Sequence, residues 1–149
     1  MSARKSQACT LPGGWMGERR FKCPEDRIAA DVVETAYRIH SELGPGLLES
    51  AYQRVLVYLL QKRGYSVETE VSVPVVFDGL RIATGFRADL IVDDLVIIEL
   101  KSVKQIEKVH LKQLLTYVRL ANKRLGLLIN FGAAELKDQI RRVVCGLPE

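Results

Sequence analysis

The stretch "DLIVDDLVIIELK", residues 89–101, limits the folds open to this chain more than any other. Most of it is Leu, Ile and Val, the composition of a strand that packs into a core. Yet Asp89 stands at its head, and Glu99 and Lys101 interrupt the apolar run at its end. Burying an unpartnered carboxylate or ammonium costs several kcal/mol or more. The fold must therefore bring these charges to one another, to a counter-ion or to a cleft.

The residues around this stretch set out an alternation of helices and strands. Ile28, Val32, Ala36, Ile39 and Leu43 recur at helical spacing, and Gly44-Pro45 stops that helix. A second helix is predicted from about 47 to 63, with Leu48, Tyr52, Val55 and Leu59 on one face and Gly64 at its end. Val67, Thr69, Val71 and Val73 then alternate with polar residues, predicting a strand over 66–77. Asp78-Gly79 is a hairpin turn signal leading to a strand over 81–92, and Asp93-Asp94 turns that strand into 95–101. A crossover helix is expected at about 107–122 with Leu111, Leu114, Leu115, Val118 and Ala121 as its apolar stripe. The continuous apolar run "LGLLINF", 125–131, reads as a strand buried on both faces. A short last helix is predicted from Leu136, Ile140 and Val143. The crossover makes strand 125–131 parallel to 95–101, whereas the three strands before it are antiparallel. The expected fold class is a three-layer α/β domain over residues 26–149, preceded by a flexible extension over residues 1–25.

Composition narrows the class further. Hydrophobic residues are 48% and charged residues 27% of the 149, which fits a globular domain and not a disordered chain. No apolar run approaches the ~20 residues of a membrane helix, and the basic N-terminus lacks the apolar segment of a secretory signal. Cys9, Cys23 and Cys145 form no CxxC pair, so neither a disulfide framework nor a zinc site is expected, and a cytoplasmic location is. The net charge of +4 permits a nucleic-acid partner without requiring one.

Glu99 and Lys101 are two apart on a strand and share a face. Asp89 joins them only if the turn sets residue 92 opposite 96, which needs a three-residue loop or a bulge; a two-residue turn would put Asp89 on the wrong face. The clustered register is the one expected. A buried Glu99–Lys101 ion pair with Asp89 left exposed is the other reading of the same spacing. A further acid, Glu49, falls on the second helix between Leu56 and Leu60 at about 100° per residue, which aims it toward the sheet. It also suits a helix start, where the dipole favours an acid. Three crowded carboxylates raise one another's pKa unless a cation lies among them. Oxygen ligands without His or Cys favour Mg²⁺ or Mn²⁺, and such a site with a lysine beside it suits phosphodiester hydrolysis.

Asp89 followed by Glu99-Leu100-Lys101 resembles the signature of PD-(D/E)XK nucleases, whose core is the restriction-endonuclease-like fold. "GPGLLESAY", with Gly46, Glu49 and Tyr52, resembles the GxxExxY branch of that superfamily, as do "RADLIVDDLVIIELKSV" and "LGLLINFG". Ala88 stands where the superfamily name has Pro. The resemblance implies Asp89, Glu99 and the Leu100 carbonyl as metal ligands, with Glu49 completing the shell directly or through water. It implies Lys101 as the residue that positions the attacking water or meets the developing charge. Gln113 and Tyr117, a Q-xxx-Y pair, resemble a motif of related nucleases and become candidates for orienting lysine or substrate; His110 beside them receives no role. The implied activity is a Mg²⁺- or Mn²⁺-dependent nuclease with DNA as the expected substrate. A nucleic-acid-binding adaptor on a nuclease fold and a structural ion network are the alternatives. A basic stripe of Lys108, Lys112, Arg119 and Lys123 reads either as a phosphate track or as the solvated face of a helix. Cutting both strands of a duplex in one encounter would call for a homodimer.

Overall fold

The computed structural model describes residues 21–148. Its elements run α1 (Pro24–Leu43), α2 (Glu49–Lys62), β1 (Val67–Phe77), β2 (Leu80–Val92), β3 (Val96–Lys101), α3 (Lys108–Leu120), β4 (Leu125–Asn130) and β5 (Ile140–Val144). One five-stranded sheet has the order β1-β2-β3-β4-β5. Only β3 and β4 pair in parallel; the other neighbours are antiparallel. Helices α1 and α2 pack on one face with Leu90, Val92, Ile98 and Leu100, while α3 packs on the other with Phe86, Ala88, Ile97 and Leu128. This is the expected three-layer α/β arrangement with a mixed sheet.

Local chemistry explains why the elements stop where they do. Gly44 ends α1 at φ 71°, its N–H donating to the His40 carbonyl. Asp78 and Gly79 both take positive φ between paired Phe77 and Leu80, the two-residue turn that suits a twisted hairpin. On α3, Glu107 accepts from the His110 N–H while the Glu107 N–H donates to His110 Nδ1 at 3.0 Å. His110 is thus a capping residue. Gly126 lets α3 come down onto β4: a Cβ there would lie 2.6 Å from Val118 and 2.9 Å from Leu114.

Two expectations are corrected. The segment over Leu136, Ile140 and Val143 is not a helix; Ile140–Val144 forms β5 on the open edge of β4. Every residue of β4 is buried, so its unpaired edge would have left backbone donors and acceptors without partners. Satisfying that edge outweighs the helical spacing of three apolar residues. The extension, expected to reach residue 25, ends earlier. Helix α1 begins at Pro24, and buried Glu25 accepts Arg124 Nη2 at 2.8 and 2.9 Å and Nε at 3.1 Å. Burial pushes the Glu25 carboxyl up, but bonds from Arg124, its own backbone and Cys23 outweigh this and hold it below the usual range. The expectation for residues 1–20 lies outside the described residues.

Arg124→Ala is expected to destabilise the fold by about 2–3 kcal/mol, because it strands a buried carboxylate. The figure is set below the loss for a fully buried pair because Arg124 is 44% exposed. Urea unfolding of parent and variant checks it.

Candidate active site

Strand β2 pairs with β3 through Val92↔Val96, Ile91↔Ile97 and Leu90↔Ile98. The register is the three-residue-loop one, with Asp93 and Asp94 at φ 49° and 57° making the turn. It sets Asp89 beside Glu99, and there the ladder gives way to side chains. The Asp89 N–H donates to Glu99 Oε1 at 3.2 Å, and the Leu100 N–H donates to Asp89 Oδ2 at 2.9 Å. Each carboxylate therefore accepts a backbone donor from the other's strand.

The pleat is also broken at this point. On β2, Phe86 and Ala88 pack toward α3, whereas Leu90 and Val92 pack toward α1 and α2. Regular alternation would put all four on one face, so the phase slips at Asp89. On β1 it slips likewise between Val67 and Val71, and Glu70 between them takes φ 50°. The carboxylates thus sit where the sheet is distorted.

Glu99 is 6% exposed and Asp89 half-buried. Burial, then the charge of Asp89, pushes the Glu99 carboxyl up to about 8, against the pull of the Asp89 N–H and of Lys101. Burial also raises Asp89, with Glu70 adding repulsion and the Leu100 N–H opposing it. Lys101, half-buried at the end of β3, makes no ion pair and no side-chain hydrogen bond among the described residues. The buried Glu99–Lys101 salt bridge is therefore not formed. The backbone of Lys101 is fixed independently, since its carbonyl accepts the Phe131 N–H at 2.9 Å.

Glu49 is the first residue of α2, exposed, and faces Asp89 closely enough for the two charges to interact. Partial desolvation and the charge of Asp89 raise its carboxyl, and Lys101 opposes them. What holds it there is the loop before it. The Tyr52 hydroxyl donates to the Gly44 carbonyl at 2.5 Å and accepts the Leu47 N–H at 3.1 Å. Its ring is fully buried and stacks on Phe131 at 4.5 Å. Gly46, at φ 107°, takes a conformation that a side chain would strain. The G-x-x-E-x-x-Y spacing thus has a mechanical reading: glycine for the turn, tyrosine as the latch, and glutamate presented between them.

Tyr117 reaches the same place from α3. It stacks on Phe86 at 4.0 Å, and burial followed by the charges of Glu99 and Asp89 raises its phenol. Gln113 is exposed one turn earlier, and no hydrogen bond joins it to the carboxylates among the described residues. The basic stripe is shorter than expected. Lys108, Lys112 and Arg119 are exposed on α3, but Lys123 lies beyond the helix and pairs with Asp94 at 2.8 Å.

One site residue escaped sequence reasoning. Glu70 repels both Asp89 and Glu49 electrostatically, and Gln53 Nε2 donates to Glu70 Oε1 at 3.2 Å. In the sequence it is one of the polar residues alternating with Thr69 and Val71 and looks like the solvent face of a strand. Only the three-dimensional register reveals it.

The donor set fits a hard divalent cation. Two carboxylates raised by burial and mutual repulsion gain from a positive charge between them. No three Asp, Glu, His or Cys side chains among the described residues converge at metal-ligand geometry.

Comparison with known families places this arrangement. The profile of the PD-(D/E)XK nuclease superfamily matches residues 26–143, and the chain belongs to that superfamily. No curated protein and no solved structure matches the chain. No helix among the described residues is long and apolar enough to cross a membrane.

Proposed function

We propose that this protein is a Mg²⁺- or Mn²⁺-dependent nuclease acting on DNA, a member of the GxxExxY branch of its superfamily. The observation that carries the reading is the Asp89–Glu99 pair, two carboxylates lodged at a break in the sheet with Lys101 unpaired beside them. Asp89, Glu99 and the Leu100 carbonyl would hold the ion, and Glu49 would act on its shell through water. The ion, when bound, supplies a Lewis acid for a phosphoryl oxygen and lowers the pKa of water. Lys101 orients the attacking water or meets the negative charge that develops on the phosphate. Tyr117, whose phenol burial and the neighbouring carboxylates raise further above neutrality, donates a hydrogen bond to the substrate or to the lysine's surroundings, with Gln113 one turn away. Exposed Lys104, Lys108 and Lys112 supply positive charge near the start of α3 for the phosphate backbone.

The test is incubation of supercoiled plasmid, single-stranded DNA and RNA with the protein in Mn²⁺, in Mg²⁺ and in chelator. Cleavage of DNA that chelator abolishes is expected. Binding of nucleic acid without cleavage under every cation condition would instead support the adaptor reading.

A further inference from the structure

The register of β1 and β2 contains Thr69↔Leu90 and Val71↔Ala88 but omits the Glu70–Asp89 pair between them. On its other side Asp89 is also beyond the last paired rung, Leu90↔Ile98. Asp89 therefore lies at a point where regular pairing lapses toward both neighbouring strands, yet its carboxylate must be held in place. Gln53 spans the first gap. Its Nε2 donates to Glu70 Oε1 at 3.2 Å and reaches the Asp89 carbonyl at 3.5 Å. A side-chain amide carries two donor hydrogens, so one group can serve both acceptors.

Position on the helix explains why this residue is placed to do so. Gln53 is one turn after Glu49, and residues four apart share a helical face. The contact that steadies Asp89 therefore also ties the first turns of α2 to β2. Glu70 holds its side of the bridge from a strained backbone: φ 50° for a non-glycine residue within a strand is uncommon and persists only where surroundings enforce it.

We propose that Gln53, anchored by Glu70, is a positioning residue that fixes Asp89 at the break in the sheet, so that its carboxylate faces Glu99 and the Leu100 N–H. The proposal rests on the reading of Asp89 and Glu99 as the metal-binding pair. Glu70 acts in it as a hydrogen-bond acceptor and not as a ligand.

Two readouts on parent, Gln53→Ala, Glu70→Ala, Glu70→Gln and the double alanine variant test it. The first is amide hydrogen exchange. Gln53→Ala is expected to speed exchange at Leu100 by at least about tenfold while leaving Leu127, in the middle of β4, unchanged; a loss of stability of the whole domain would move both. The second is calorimetric titration with Mn²⁺. Gln53→Ala and Glu70→Ala are each expected to weaken Kd by about tenfold, as lost outer contacts to ligands do. The double variant should be no worse than either single one. Glu70→Gln, which keeps an acceptor oxygen, should stay within about twofold of the parent. Unchanged exchange at Leu100, additive losses, or a Glu70→Gln variant as weak as Glu70→Ala would overturn the proposal. A parent that binds no Mn²⁺ would refute the metal-site reading instead, and the exchange result would still decide the role of Gln53.

Discussion

Lys101→Ala is expected to lower the rate of DNA cleavage by about 10²–10³-fold or more, the loss seen when one preorganised transition-state donor is removed. Its melting temperature should stay within about 3 °C of the parent. Both halves of this expectation come from the same observation. The Lys101 ammonium acts on the carboxylates through its charge but makes no ion pair or side-chain hydrogen bond among the described residues, so deleting it breaks no direct contact. The strand itself is held by its backbone, through the Phe131 N–H and the β3–β4 pairing of Lys101 with Asn130. A lysine that served the fold would show the reverse pattern, a large fall in stability accompanying any fall in rate. Stopped cleavage assays and a thermal melt on the same preparation separate the two. A variant that cuts as fast as the parent would remove Lys101 from the mechanism.

The second large effect concerns stability and pH. The Glu99 carboxyl is raised from 4.5 to about 8 in the folded protein, so the native state binds this proton more tightly than the unfolded chain does. Stability from this group is present below pH 4.5 and is lost as pH rises from there through 8, by at most about 1.4 kcal/mol per pH unit. Asp89 and Glu49 are raised too and act in the same direction. In chelator the parent is therefore expected to melt several degrees lower at pH 8 than at pH 6. Added Mn²⁺ should flatten the slope, because a bound cation stabilises the ionised carboxylates. Glu99→Gln keeps an acceptor for the Asp89 N–H but cannot ionise, and it should lose most of the slope and melt higher than the parent at pH 8. An equal pH dependence in parent and variant would mean that Glu99 does not carry the buried proton.

Much of this site was legible in the residues because the apolar strand left few ways to accommodate charge. Requiring Asp89 to meet Glu99 selected the 92↔96 register over its alternative, and the structure has that register. The parallel placement of β4 followed from the crossover helix in the same way. What stayed hidden depended on contacts between distant segments. Ile140–Val144 has apolar spacing compatible with a helix, and only the open edge of β4 makes it a strand. Glu25 lay in a stretch without periodicity, and its burial follows from Arg124, 99 residues away. Lys123 fitted a helical stripe, but α3 ends at Leu120 and the chain turns at Asn122 with φ 56°, which leaves Lys123 to pair with Asp94 across the fold. Glu70 had the alternation of an ordinary exposed strand residue, and its place beside Asp89 arises from an irregularity shared by β1 and β2.

The central claim is that Asp89 and Glu99 form a divalent-cation site, and calorimetric titration of Mn²⁺ into the parent and into Asp89→Ala tests it most directly. It needs no assumption about substrate. The account predicts saturable binding by the parent that is lost in the variant, with a circular dichroism spectrum that remains native. Saturable binding of equal strength in Asp89→Ala, or none in the parent, would contradict it.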